Sequence, residues 1–212
     1  MIKFTLLTDG SSDKVLLPIL KWTIRQHRAA QPIEDQFADL RLLHRPPETL
    51  ADKIVRSIEL YPCQILFVHR DSEKATHQTR KEEIYQAFNQ ASEKLRDIPP
   101  LICIVPIRMQ EAWLLFDEQA IRNASGNPNG KITLELPVLR EVENMPNPKS
   151  LMYSLLSRAS ELHGRRLKDF NSAKQAHRVA ELIDNFEPLR QLSAFQLFED
   201  DLQQMLNIYF PI

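Results

Sequence analysis

Apolar runs that stop abruptly at ionisable residues recur along this chain. The clearest is Ile65–Glu73, Ile-Leu-Phe-Val-His-Arg-Asp-Ser-Glu. Four successive apolar residues predict a strand buried on both faces, and the polar residues after it mark its carboxyl end. Lys3–Asp13 and Leu101–Glu111 repeat the arrangement, each an apolar strand followed by carboxylates. In an open α/β sheet, ligands are held outside the carboxyl ends of the strands. The three segments are therefore expected to converge on one acidic site.

Periodicity places the other elements. Lys3–Thr8 is the first strand, with Gly10 allowing the turn after it. Ser11, Ser12 and Asp13 are suited to cap a helix from Lys14 to about Arg28, with Pro18 in its first turn. Gln31–Gln36 reads as loop, and Phe37–Leu43 as a second strand near an edge, since it carries Asp39 and Arg41. Pro46-Pro47-Glu48-Thr49 begins a helix that runs to Leu60 and is ended by Pro62. Ser72–Thr79 is a polar loop, Arg80 to about Arg96 a helix, and Leu101–Val105 a strand introduced by Pro99-Pro100. The alternation predicts an α/β fold with right-handed crossovers and a mostly parallel sheet.

Gln110–Asn123 reads as a further helix. Gly126-Asn127-Pro128-Asn129-Gly130 is the strongest turn signal, and beyond Lys149 only helices are expected: Ser150–His163, Ala173–Asp184 and Ala194–Tyr209. The expected organisation is an α/β domain over residues 1–125, with a helical extension over 126–212 packed on it.

A chain of 212 residues can bury a substantial core, and a net charge of −1 argues against a uniformly basic nucleic-acid surface. Cys63 and Cys103 flank or lie in buried strands and have no metal-binding spacing, so they read as reduced apolar fillers. No apolar run nears the roughly 20 residues that span a bilayer, and no signal-peptide pattern opens the chain. A cytoplasmic protein is expected.

The candidate carboxylates are Asp9, Asp13, Asp71, Glu73 and Glu111, with Asp117 further out. Gathered acids repel unless a cation or a proton relieves them. Hard oxygen donors without thiolates suit Mg²⁺ or Mn²⁺, which acts as a Lewis acid on phosphate oxygens. The chemistry indicated is phosphoryl or phosphodiester transfer. Taken singly, each acid has a plainer role: Asp9 and Asp13 as turn and cap residues, Asp71 and Glu73 as solvated loop residues, Glu111 as a charge favoured near a helix start. Their recurrence at three strand ends favours the functional reading. Arg70 and Arg108 beside the site are suited to clamp a phosphate or simply to pair with its carboxylates. Arg122, Lys131 and the cluster His163–Lys168 are further basic groups.

Asp9-Gly10-Ser11-Ser12-Asp13 resembles the Glu-Gly-x-x-Asp opening of the Toprim domain, the metal-binding fold of topoisomerases, primases and old-family nucleases. His69-Arg70-Asp71-Ser72-Glu73 falls where that family carries an Asp-x-Asp pair. Two registers fit: His69 with Asp71, or Asp71 with Glu73, the second keeping both acids. Glu111 in Glu-Ala-Trp-Leu-Leu-Phe-Asp looks like the acidic helix start of small Toprim-like proteins, some associated with phage defence. The resemblance covers about residues 1–125. It implies a Toprim-like, Rossmann-like sheet and a nuclease that hydrolyses nucleic acid, DNA rather than RNA. Asp9, one methylene shorter than the family's glutamate, takes the proton-handling role, with Arg70 and Arg108 beside it. Asp71, Glu73, Glu111 and Asp13 hold the Mg²⁺ or Mn²⁺. The second function it allows is a non-catalytic module serving an ATPase partner.

Overall fold

The computed structural model of the protein describes residues 1–211. Among these, four strands form one sheet in the order β2-β1-β3-β4, with every neighbouring pair parallel. The strands are β1 (Ile2–Leu7), β2 (Ile33–Ala38), β3 (Ile65–His69) and β4 (Leu101–Ile104). Helices α1 (Leu16–His27), α2 (Leu50–Leu60) and α3 (His77–Ser92) make the crossovers. The connection from β1 runs to one side and that from β3 to the other. With one crossover hand, this puts α1 on one face and α2 and α3 on the opposite face.

Every residue of β3 is buried, as its unbroken apolar run demands. Successive side chains alternate between two cores. Phe4, Leu6, Ile65, Phe67, Ile102 and Ile104 face α1. Leu7, Leu66, Val68 and Cys103 face Ala51 and Ile54 of α2 and Ile84 and Ala91 of α3. The first core continues into the rest of the chain: α4 (Glu118–Ala124), α5 (Pro148–Ala159), α7 (Ser172–Leu182) and α8 (Ser193–Tyr209) all contribute to it. Phe67 of β3 meets Phe4 edge-on at 5.2 Å and lies tilted against Phe198 of α8 at 6.3 Å, and Trp113 meets Phe195 edge-on at 5.3 Å. The carboxy-terminal helices thus share the core that lies under the sheet. A short exposed helix, α6 (Gly164–Lys168), carries Arg165, Arg166 and Lys168.

Several boundaries differ from expectation, each for a local reason. The second strand is Ile33–Ala38, not Phe37–Leu43. It pairs along β1 from Ile2↔Ile33 to Leu7↔Ala38, and as an edge strand it tolerates Glu34 and Asp35, which pair with Lys3 and Lys21. Leu40–Leu42 instead form a 3₁₀ turn. Helix α2 starts at Leu50 because Thr49 caps it, accepting the Asp52 N–H at 3.1 Å; α3 starts at His77 because Thr76 accepts the Thr79 N–H at 3.1 Å. The expected helix over Gln110–Asn123 is broken in two. Gln110–Leu114 is a 3₁₀ turn, and Asp117 then caps α4 by accepting the Ala120 N–H at 2.8 Å, a competing local bond that restarts the helix. The helix expected from Lys14 likewise opens as a 3₁₀ turn over Ser11–Val15 before α1.

Candidate functional site: an acidic crevice at the strand switch point

Connections leave β1 and β3 in opposite directions, so a crevice opens between their carboxyl ends, where such sheets hold ligands. Asp9, Asp13, His69, Arg70, Asp71, Glu73 and Arg80 line it, around about 160 Å³ of space.

Asp13 is buried at the base. Its carboxylate accepts the Gly10 N–H (3.1 Å), the Ser12 hydroxyl (3.0 Å) and the Gln110 side-chain Nε2 (3.0 Å). Gly10 has extended backbone, and a Cβ there would crowd the Ser12 hydroxyl at 3.3 Å, the same hydroxyl that bonds Asp13. Asp71 follows β3, and its Oδ1 accepts the Gln110 backbone N–H at 2.9 Å. Gln110 therefore ties the two acids together, one through its backbone and one through its side chain. The side chain is buried, and its Oε1 has no hydrogen-bond partner among the described residues. Burial pushes the Asp71 carboxyl up to about 8, reinforced by the charges of Glu111 and Asp13 and opposed by the Gln110 N–H.

His69 lies between the two acids. Its Nε2 is 3.4 Å from Asp71 Oδ1 and 4.0 Å from Asp13 Oδ2. Its Nδ1 is 3.0 Å from the Ile104 carbonyl, which only accepts, so Nδ1 carries the proton. Burial lowers the imidazole below its ordinary value although the Asp13 charge pulls the other way. The ring is then neutral, and Nε2 turns a lone pair, not a positive charge, toward the carboxylates.

The remaining predicted residues stand further out. Asp9 is half exposed at the mouth, paired with Lys53 Nζ at 2.7 Å and Arg70 Nε at 3.6 Å. Glu73 is exposed, in left-handed backbone (φ 51°), with Arg80 standing 3.8 Å away. His69 and Asp71, rather than Glu73, are thus set against Asp13. Glu111 is buried behind Asp71, its side chain 5% exposed, and Lys149 of α5 reaches it at 3.4 Å. Arg108 does not line the crevice. Its backbone N–H binds Ser72 Oγ at 2.8 Å and its guanidinium binds the Glu73 carbonyl at 3.2 Å, joining the loops after β3 and β4. Asp117 is a helix cap, and Arg122 is buried in bonds to Glu118 and the Ile132 carbonyl. Gln110, Lys53, Arg80 and Lys149 give no signal in the sequence: a neutral amide has no signature, and the cations come from helices whose placement is tertiary.

Among the described residues, no three His, Cys, Asp or Glu side chains are gathered tightly enough to hold an ion unaided. The donors present nonetheless fit a hard cation. Asp13 and Asp71, which line the crevice, are the ligand type of Mg²⁺, which keeps several waters and needs only one or two carboxylates. No helix among these residues is long and apolar enough to cross a membrane, and Cys63 and Cys103 are both free.

Comparison of the chain with protein-family models, curated proteins and solved structures gives no match.

Proposed function

We propose that the protein is a Toprim-like, Mg²⁺-dependent nuclease, with Mn²⁺ able to substitute, that hydrolyses phosphodiesters of nucleic acid, DNA rather than RNA, in the cytoplasm and in a phage-defence setting. The observation that carries this reading is the convergence of Asp13 and Asp71, from two different strand ends, on His69 and Gln110 at the switch point. Asp13 and Asp71, which line the crevice, would hold the ion, with Gln110 and Glu111 supporting them from behind. When bound, the ion supplies charge neutralisation at the phosphate oxygens and orients the displacement. A neutral His69 leaves the acids available to a cation. Asp9, at the mouth, is positioned to hold a proton, and Arg70 to bind a phosphate oxygen. The crevice volume, about 160 Å³, is below the roughly 300–1,000 Å³ of pockets that engulf a drug-sized ligand. It admits a phosphate group while the rest of the substrate lies outside, which favours a polymer over a free nucleotide.

The test is incubation of purified protein with DNA and with RNA, with and without Mg²⁺ or Mn²⁺. Metal-dependent cleavage lost in Asp13→Ala and Asp71→Ala is expected. Cleavage that ignores the metal or survives both substitutions overturns the reading.

One observation favours a second reading, a non-catalytic module serving an ATPase partner. Asp9, at the position assigned to proton handling, is already neutralised by Lys53 and Arg70. Undiminished partner binding and biological function in Asp71→Ala would select this reading over the enzyme.

A further inference from the structure

Three cations from three different elements stand around the crevice mouth. Lys53 projects from α2, Arg70 from the end of β3 and Arg80 from α3. Surface carboxylates hold them there. Asp9 takes Lys53 and Arg70; Glu83 takes Arg70 at 2.7 Å and Arg80 at 2.8 Å. The two acids are 51% and 37% exposed. Ion pairs of this kind near the surface contribute little each, whereas guanidinium–phosphate bonds are charge-assisted and frequently bidentate. Exchange of these carboxylates for a phosphate is thus inexpensive. Arg80 also retains an unmet demand, since its Nε is buried without an acceptor among the described residues.

We propose that Lys53, Arg70 and Arg80 form a phosphate-binding wall, which a phosphate group enters by displacing the Asp9 and Glu83 carboxylates. The ligand is a phosphate of a nucleic-acid backbone, an assignment that rests on the nuclease reading; the wall itself does not. Displacement also frees Asp9 from its two cations, so substrate entry releases the carboxylate at the mouth.

The test uses the full chain and inorganic phosphate as the probe, followed by calorimetry with chelator present and then with Mg²⁺. Lys94→Gln is the control, because Lys94 pairs with the exposed Asp52, away from the crevice. Wild type and Lys94→Gln are expected to bind phosphate, and Arg80→Gln and Lys53→Gln to bind it roughly tenfold more weakly or less. Lys53, partly exposed on α2 with its ammonium bonded only to the Asp9 carboxylate among the described residues, keeps the test valid should Arg80→Gln fold poorly. Absence of phosphate binding, or equal binding by Arg80→Gln, Lys53→Gln and Lys94→Gln, overturns the wall. A short oligonucleotide that displaces phosphate supports the backbone assignment, and one that does not overturns it in favour of a free phosphate. Phosphate binding that depends on Arg80, in a protein that cuts neither DNA nor RNA with Mg²⁺, sinks the nuclease reading and leaves the wall standing. Cleavage whose KM is indifferent to both substitutions does the reverse.

Discussion

Gln110 donates its backbone N–H to Asp71 Oδ1 at 2.9 Å. The same residue sends its side-chain amide to Asp13, so one neutral residue sets the spacing of two acids brought from different strands. Gln110→Ala keeps the backbone bond and loses the side-chain one. It leaves Asp13 short of a buried donor, at a cost of about 1–3 kcal/mol. Urea unfolding at neutral pH checks the stability loss. Weaker Mg²⁺ binding by calorimetry is the accompanying expectation, because Asp13 is no longer oriented.

Asp71 predicts a pH dependence with a definite sign. Its carboxyl is at about 8 in the fold, far above the ordinary aspartate value, because of burial and the neighbouring charges of Glu111 and Asp13. The folded state therefore holds a proton that the unfolded chain has already given up. The stability this supplies is complete below about pH 4, and it is lost as pH rises to about 8. Asp71→Asn can still accept the Gln110 N–H and carries no charge. It is expected to match wild type near pH 4 and to exceed it increasingly above that, on the order of 1.4 kcal/mol for each pH unit up to about 8. Unfolding curves for both proteins across that range decide the matter.

The same proton competes with a cation. Mg²⁺ bound through Asp71 would have to expel it, so near neutral pH binding is expected to release about one proton and to tighten as pH rises toward 8. Calorimetry in two buffers with different protonation heats reads that proton directly. Asp71→Asn should show neither the release nor the pH trend.

Lys149 stands 3.4 Å from Glu111, and that lysine comes from the helical part of the chain. Lys149→Met leaves a buried carboxylate beside Asp71 without this counterion. Because Lys149 is itself 39% exposed, the loss is expected to be modest, about 1 kcal/mol. Glu111→Gln should recover most of it. A double-mutant cycle with a coupling energy of about 0.5–1.5 kcal/mol is the expected result, and additive effects would show that the pair does not interact.

Burial decides which parts of this architecture are legible in the chain. Ile65–Val68 announces β3 because a central strand is apolar on both faces, and the abrupt polar ends of such runs point to Asp13 and Asp71. Strand β2 lies several residues before its expected place because an edge strand needs no apolar run: Glu34 and Asp35 belong to it, while Leu40 and Leu42 do not. The break at Asp117 is hidden because Trp113, Phe116 and Ala120 keep helical spacing across it. Within the site, charge favours Glu73 as a partner of Asp71, yet left-handed backbone turns that segment outward and leaves His69 as the inner neighbour. Residue type alone does not distinguish them.

The shared core makes a further prediction. Trp113 is fully buried against Phe195 and Phe198, and Phe67 touches Phe198. Phe198→Ala is expected to cost about 3–5 kcal/mol. A chain cut after Ser125 should not fold at all, because one face of the sheet would lose its cover. Circular dichroism and limited proteolysis of the truncated chain are the checks, and a cooperative, protease-resistant fragment would contradict this.

Phe198 lies in α8, far along the chain from β3, yet it supports the underside of the strand that carries His69. A nascent polypeptide on the ribosome thus lacks the crevice until α8 has emerged from the exit tunnel. Whatever chemistry the acids perform is withheld until that helix has docked beneath the sheet.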